Sequence, residues 1–209
     1  METTVTTKQD AAVQARVTAA QSEAARIEAA RIEAARGGWP DGPTCSFQSG
    51  RKTLWAWTVA TFFGAGFGKP GPGTWGSVAA TLIWAGTDYF LHPSQSWMLL
   101  LTLVGVALSI GLGVPAATIA ARESGREDPG FVVIDEVAGQ WITMLPLCWG
   151  KHDWKHILIS LLLFRVFDVW KPFPIRRIEK LPEGWGIVFD DVAAGLYAGA
   201  VLLLFSRWF

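Results

Sequence analysis

The chain has 209 residues, and its 18 basic and 18 acidic residues give a formal net charge of zero, which excludes the strongly basic surface typical of nucleic-acid-binding proteins. Apolar residues make up 51% and charged residues 17%, and 12 residues are tryptophan, which favours the membrane–water interface. Two cysteines give neither a disulfide framework nor a zinc pattern. The composition therefore indicates a protein in or on a membrane, with no nucleic-acid partner.

The first 50 residues differ in composition from the rest. Residues 1–36 contain a five-residue repeat in which Glu and Arg, three apart, can pair on a helix surface. Successive repeats rotate by about 140° around a helix, so no apolar stripe forms. We predict an Ala/Glu/Arg-rich helical or disordered extension over 1–36, a flexible linker over 37–50 and a functional domain over 51–209. These first residues lack the apolar core of a cleavable signal peptide, so we expect the polar chemistry to face the cytoplasm.

The predicted linker also holds a weak phosphatase pattern. Cys45 and Arg51 have the Cys-x5-Arg spacing of cysteine-dependent phosphatases, in which a thiolate attacks phosphorus. Thr44 stands where those enzymes usually carry histidine, Lys52 follows the arginine, and no buried strand precedes the cysteine. A Cys45-dependent phosphatase is therefore a minor alternative.

A glycine-rich loop, residues 64–77, precedes the next predicted helix. It contains six glycines and two prolines, and glycines let backbone N–H groups approach an anion near a helix N-terminus. Lys69, Thr74 and Ser77 would add donors, although no Gly-Lys-[Ser/Thr] sequence of a Walker loop is present. An ordinary turn is the alternative, but we favour phosphate binding.

Long apolar segments dominate the remaining chain. Between Asp88 and Arg122 lie 33 residues without a formal charge, and residues 97–121 are long enough to cross the ~30 Å hydrocarbon core. The other apolar runs are each too short to span comfortably: 54–68, 137–150, 157–164 and 192–206. Because period-two alternation is rare, we predict an all-α bundle of about six helices, membrane-embedded or membrane-associated.

Two acidic segments form a near-repeat. In each, three apolar residues lead into two adjacent carboxylates, Asp135-Glu136 and Asp190-Asp191, and a glycine follows, Gly139 or Gly195. Carboxylates among apolar residues are costly to bury unless a cation or hydrogen bonds compensate them. The pairs therefore indicate oxygen ligands for a hard divalent cation, and the alternative is two acidic helix caps.

The glycines of the near-repeat would let two helices approach closely, so that ligands from both could meet at one cation. Adjacent residues on a helix point about 100° apart, so both acids of a pair can be ligands only if the first lies at the helix cap. The sequence leaves open whether Asp190 caps and Asp191 binds, or the reverse.

A charged stripe lies between the two acidic segments. Arg165, Asp168 and Lys171 are spaced three apart and follow an apolar run, so they share one face at the end of a predicted helix that Pro172 terminates. A salt-bridged helix end is the alternative, in which Lys171 complements the helix dipole. Three charges on an otherwise apolar element favour a functional role, with Asp168 as a further cation ligand.

Four of these segments occur in the order found in the phosphatidylglycerophosphatase A family, which the chain resembles over about residues 55–205. They are residues 72–77 (PGTWGS), 135–139 (DEVAG), 164–174 (FRVFDVWKPFP) and 186–195 (GIVFDDVAAG). The resemblance implies a bacterial, Mg²⁺-dependent enzyme that removes the terminal phosphate of phosphatidylglycerophosphate to give phosphatidylglycerol. It also implies an inner-membrane protein with its active site facing the cytoplasm, and it leaves a homo-oligomer open.

The resemblance assigns roles to the chemistry-bearing residues. The expected magnesium ligands are Asp135, Glu136, Asp168, Asp190 and Asp191. The expected catalytic residues are Asp135, Glu136, Asp168, Lys171 and Asp191. The expected phosphate-binding residues are Lys69, Thr74, Ser77, Arg165 and Lys171. The competing class is a small membrane ion or proton pathway that uses intramembrane carboxylates, but such a pathway has no use for a phosphate-type loop or for Arg165 and Lys171.

Overall fold

The computed structural model of the protein describes residues 52–149 and 153–205, and all the regular structure in them is helical. The prediction of an all-α bundle of about six helices is confirmed. The helices are α1 Leu54–Ala60, α2 Pro72–Leu91, α3 Gln95–Ser124, α4 Ile134–Met144, α5 Trp154–Trp170, the single turn α6 Ile175–Ile178, and α7 Gly184–Phe205. Two short 3₁₀ turns, Ala65–Phe67 and Leu145–Cys148, join them.

Several sequence predictions fall outside the described residues. The extension over 1–36, the linker over 37–50 and the Cys45/Arg51 pair all lie there. The boundary of the functional domain at 51–209 stays a prediction, and the described residues lie within it.

The helices run in alternating directions, so the predicted functional segments lie at one end of the bundle. Helices α2, α4 and α7 begin at this end, and α3 and α5 finish there. The loop before α4 bonds to the end of α1, because Val133 N–H donates to the Ala60 carbonyl. The start of α7 lies against the last turns of α3, where the Gly184 N–H donates to the Thr118 hydroxyl. We call this the polar end; it comprises the first turns of α2, α4 and α7 and the last turns of α3 and α5.

Glycine sets the distance between α4 and α7. A Cβ added to Gly195 would come within 2.3 Å of the Gly139 carbonyl oxygen, and one added to Gly139 would come within 2.5 Å of the Asp191 carbonyl oxygen. The Thr143 hydroxyl lies 2.9 Å from the Gly139 carbonyl and 3.3 Å from that of Gly195, so it bridges the crossing. The close approach predicted from the paired glycines is therefore present in the fold.

Two helices, α3 and α7, are long and apolar enough to cross a membrane. The prediction for residues 97–121 fits within α3, which continues through Pro115 without a break. The run 192–206 is too short to span by itself, but the helix that contains it begins eight residues earlier, at Gly184, and the whole helix is long enough. Large apolar side chains are exposed along α2, α3, α5 and α7, which fits association with a membrane.

Candidate active site

Three carboxylates meet at the polar end. Asp135 and Glu136 lie in the first turn of α4, and Asp191 is the eighth residue of α7. Each offers one oxygen, and the three oxygens lie within 4.8 Å of one another, a separation that one cation can bridge. The crossing at Gly139 and Gly195 brings the two helices close enough for this, since each glycine lies one helical turn after an acid of the cluster.

Two oxygens of the cluster lack hydrogen bonds that would compensate their burial. Asp135 Oδ1 and Glu136 Oε2 are buried and have no hydrogen-bond partner. Burial raises the pKa of Asp135 well above its usual value, and the neighbouring Glu136 carboxylate adds to the effect. Burial also raises the pKa of Glu136 to about 8. Buried carboxylate oxygens without donors are the hard ligands that a divalent cation prefers, so the residues fit a metal such as Mg²⁺.

Arg165 and Asp168, from the last turns of α5, line the side of the cluster. The guanidinium Nη1 of Arg165 lies 2.6 Å from Asp168 Oδ2 and 3.9 Å from Glu136 Oε1. The Asp168 carboxyl in turn lies close to that of Asp191. Asp168 therefore links the arginine to the carboxylates, and both predicted residues lie at the site.

Lys171 and Asp190 form a separate pair beside the cluster. The helix α5 ends at Trp170, and Lys171 follows it in a left-handed conformation with φ of 45°. Its Nζ donates to Asp190 Oδ2 at 2.6 Å and to Glu179 Oε1 at 2.9 Å. Burial alone would lower the pKa of Lys171, but its two carboxylate partners raise it above its usual value. Lys171 is therefore charged and already held by two acids.

The sequence allowed one acid of the second pair to be the N-cap residue of its helix. The structure excludes this for both acids. Because α7 begins at Gly184, neither Asp190 nor Asp191 lies at the helix start. Asp190 Oδ1 accepts instead from the Asp191 backbone N–H at 2.9 Å, and only Asp191 joins the three-oxygen cluster. In the first pair both acids join it although neither is the cap residue, which is Val133, so the expectation that two adjacent ligands need the first at the cap is wrong here.

The glycine-rich loop reaches the cluster through its backbone. Gly71 has φ of 69°, which favours glycine, and it precedes Pro72 at the start of α2. A Cβ added to Gly73 would come within 1.9 Å of Glu136 Oε1 and 3.2 Å of Arg165 Nη1. The first turn of α2 therefore lies directly against the predicted cation and phosphate ligands.

The side chains of the loop are placed differently from its backbone. Ser77 is fully buried, and its hydroxyl donates to the Gly73 carbonyl at 2.9 Å. Lys69 and Thr74 are exposed. Neither has an ion pair with the acidic residues that the structure describes. Of the three predicted loop donors, none forms a side-chain hydrogen bond or ion pair with the three carboxylates of the cluster.

Two acids near the site were missed by sequence reasoning. Glu179, which follows α6, forms an ion pair with Lys171. Asp128, in the loop between α3 and α4, interacts electrostatically with Lys171. Both lie in polar, proline-containing segments where an acid is unremarkable. The eight-residue separation of Lys171 and Glu179 matches no helical spacing, so no local signal could have paired them.

Comparison with known proteins gives consistent matches over this region. A sequence model of the family described as Phosphatidylglycerophosphatase A matches residues 58–206. The Phosphatidylglycerophosphatase A of Haemophilus influenzae is 37% identical over 158 residues, covering 72% of this chain and 88% of that protein. The protein of the same name from Escherichia coli is 34% identical over 145 residues, covering 69% and 79%.

A third relative carries a different name. The putative phosphatidylinositol-3-phosphatase of Bacteroides thetaiotaomicron is 37% identical over 150 residues, covering 72% of this chain and 92% of that protein. No solved structure matches the chain. The matched region includes every residue predicted for the site and excludes Cys45.

Proposed function

Since the chain belongs to the phosphatidylglycerophosphatase A family and is a phosphatase, we propose that it hydrolyses the terminal phosphate of phosphatidylglycerophosphate in a Mg²⁺-dependent reaction. The oxygen of a water molecule bonds to phosphorus, the bond from phosphorus to the glycerol oxygen breaks, and that oxygen takes a proton. The products are phosphatidylglycerol and inorganic phosphate, which completes the synthesis of this phospholipid. The observation that carries the proposal is the cluster of Asp135, Glu136 and Asp191 beside Arg165.

Asp135, Glu136 and Asp191 would hold the cation, with Asp168 adjacent to them. The partnerless oxygens of Asp135 and Glu136 support this assignment, because a bound cation would compensate their burial. When bound, Mg²⁺ supplies positive charge that neutralises the phosphate and polarises its P–O bonds. Asp190 would support the site without binding the cation, because Lys171 already occupies one of its oxygens.

Arg165 would bind the transferred phosphate. Its Nη1 is buried and has no well-aligned hydrogen bond, although Asp168 lies close enough to hold the guanidinium in place. A guanidinium held in this way can donate to two phosphate oxygens and stabilise the charge that develops on them. Lys171, fixed by Asp190 and Glu179, would add positive charge at the edge of the site.

The distribution of charge supports a site on the cytoplasmic face of the membrane. Of the ten lysines and arginines in the described residues, only Lys155 lies at the end opposite the site. The other nine are Lys52, Lys69, Arg122, Arg126, Arg165, Lys171, Arg176, Arg177 and Lys180. Cytoplasmic segments next to membrane spans carry an excess of such residues. With α3 crossing the bilayer, the polar end would meet the lipid phosphates from the cytoplasm.

The test is phosphate release from phosphatidylglycerophosphate in mixed micelles, measured with Mg²⁺ and with EDTA. We expect release that requires Mg²⁺ and that is lost in Asp191→Asn. Phosphatidylinositol 3-phosphate is measured in parallel, because one relative carries the name of a phosphatase for that lipid. Faster release from the inositol lipid would mean that this lipid is the preferred substrate, while the reaction would still be phosphate-ester hydrolysis. Release that survives EDTA would overturn the role of the metal.

A further inference from the structure

The segment between the end of α5 and the start of α7 presents large apolar side chains to the outside of the protein. Val169 is 75% exposed, Trp170 63% and Phe173 70%. Trp170 is the last residue of α5, so this apolar group lies at the polar end, next to Lys171 and the site. Tryptophan at the end of an apolar helix is typical of the membrane–water interface.

The same segment carries two arginines, Arg176 and Arg177. The Arg177 guanidinium lies 4.8 Å from the centre of the Phe173 ring, and Arg176 donates to the Trp170 carbonyl at 3.4 Å. Neither has an ion pair with a carboxylate among the described residues. The nearest acid in sequence, Glu179, is bound to Lys171. Two cations therefore lie beside exposed aromatic rings, and no carboxylate in the described part of the chain pairs with them.

The fold holds this surface in place. Ile175 is fully buried at the start of α6, and the Tyr197 hydroxyl of α7 donates to the Phe173 carbonyl at 3.1 Å. The backbone between Phe173 and Ile175 is thus tied to α7, which also carries Asp191. A preformed surface loses little conformational freedom on binding a partner.

We propose that this surface, formed by Val169, Trp170, Phe173, Arg176 and Arg177, binds the headgroups of anionic phospholipids in the surrounding bilayer. The aromatic and aliphatic side chains enter the boundary between headgroups and acyl chains, and the two arginines bind phosphodiester oxygens. The opposite end of the bundle also exposes aromatic side chains, such as Trp97 and Trp154. It offers only Lys155 among its described residues, so charge complementarity selects the surface next to the site. This inference goes beyond the proposed reaction and rests on no step of it.

The experiment measures lipid binding and not catalysis. The full chain, purified in a neutral sugar detergent, is titrated with phosphatidylserine or with phosphatidylcholine while its thermal unfolding temperature is recorded. Phosphatidylserine is anionic and is neither substrate nor product of the proposed reaction. The variants are R176Q/R177Q, the charge-conserving R176K/R177K, and K155Q, which removes one charge at the opposite end.

We expect phosphatidylserine to raise the unfolding temperature of the wild type more than phosphatidylcholine does. A basic residue near an anionic surface contributes about a fivefold gain in affinity, so R176Q/R177Q should need at least ~10-fold more phosphatidylserine to reach half of the effect. R176K/R177K and K155Q should keep the wild-type midpoint within about threefold. Salt at about 0.5 M should weaken the effect in the wild type.

An unchanged phosphatidylserine midpoint in R176Q/R177Q, or equal shifts with both lipids in the wild type, would overturn the proposal. If the double variant does not fold, R177Q alone is measured, and an unchanged midpoint there has the same meaning. A protein that binds phosphatidylserine in this way but releases no phosphate would refute the catalytic proposal and leave this one standing.

Discussion

The two acidic pairs are nearly the same in sequence, yet the fold uses them differently. Asp135 and Glu136 lie in the first turn of a short helix, and both offer an oxygen to the three-carboxylate cluster. Asp190 and Asp191 lie two turns into a long helix, where only Asp191 joins the cluster and Asp190 pairs with Lys171. Similar sequences therefore supply two oxygens of the cluster in one case, and one oxygen with one ion pair in the other.

The difference follows from the neighbours of each pair. The first pair is faced by the backbone of Gly73 and by Arg165, which lies 3.9 Å from Glu136 and is held by Asp168, so one oxygen of each acid has no hydrogen-bond donor. The second pair is faced by the end of α5, which places Lys171 within 2.6 Å of Asp190. The acids are alike, and the groups that surround them determine which oxygens are left for a cation.

The largest expected effect separates the two acids of the second pair. Asp191→Asn removes a charged oxygen from the cluster, so we expect phosphate release to fall by at least ~10²–10³-fold, the range for a single group that stabilises transition-state charge. Asp190→Asn should cost only about 10–100-fold, as expected of a residue that supports a ligand without being one. The measurement is the rate of phosphate release at saturating Mg²⁺, with far-UV circular dichroism to confirm helical content. Equal losses in the two variants would place Asp190 among the metal ligands.

The second prediction concerns the first pair and pH. The pKa of Glu136 is about 8 in the folded protein and 4.5 in the unfolded chain, so the folded state binds the proton more tightly. Without a divalent cation, the contribution of Glu136 to stability should therefore be fully present below pH 4.5 and be lost as the pH rises through 8, a change of roughly 4–5 kcal/mol. Glu136→Gln should reduce this slope, and Mg²⁺ should oppose the fall. Thermal unfolding across this range, with EDTA and with Mg²⁺, checks both, and a wild type whose stability in EDTA does not change with pH would contradict the prediction.

Much of this site was predictable from the sequence, because the acids lie in motifs of fixed order and the paired glycines indicate a close helix crossing. The sequence could not predict the different contacts of Asp190 and Asp191, since these depend on Lys171 approaching Asp190 from the end of another helix. It also could not predict the role of Gly73, whose contact with Glu136 depends on how α2 approaches α4. Local patterns indicate which residues carry chemistry. The distances between helices decide which of those residues can bind the same cation.

The third prediction concerns the crossing that brings the two pairs together. Gly195→Ala would place a methyl group 2.3 Å from the Gly139 carbonyl oxygen, so α4 and α7 must move apart. We expect a loss of about 1–3 kcal/mol in stability and a loss of Mg²⁺-dependent activity, because the cluster draws ligands from both helices. Gly111→Ala is the matched control, since nothing lies within 4 Å of its added Cβ in α3. The control should leave activity unchanged and stabilise the helix by about 0.5–1 kcal/mol; an equal destabilisation in both variants would refute the role of the crossing.

The smallest expected effect is that of Ser77→Ala. Ser77 lies in α2, the helix whose first turn faces the first acidic pair. Ser77 was predicted to bind phosphate, but its hydroxyl is directed to the Gly73 carbonyl of its own helix and is fully buried. A hydrogen bond of this kind contributes about 0.5–1.5 kcal/mol to stability, and its loss leaves the carboxylates and Arg165 in place. We therefore expect phosphate release to change by less than about threefold, with KM for the lipid unaffected. A loss of 10²-fold or more in the folded variant would mean that the Ser77 hydroxyl turns toward the substrate, and the first turn of α2 would then contribute a side chain to the site as well as its backbone.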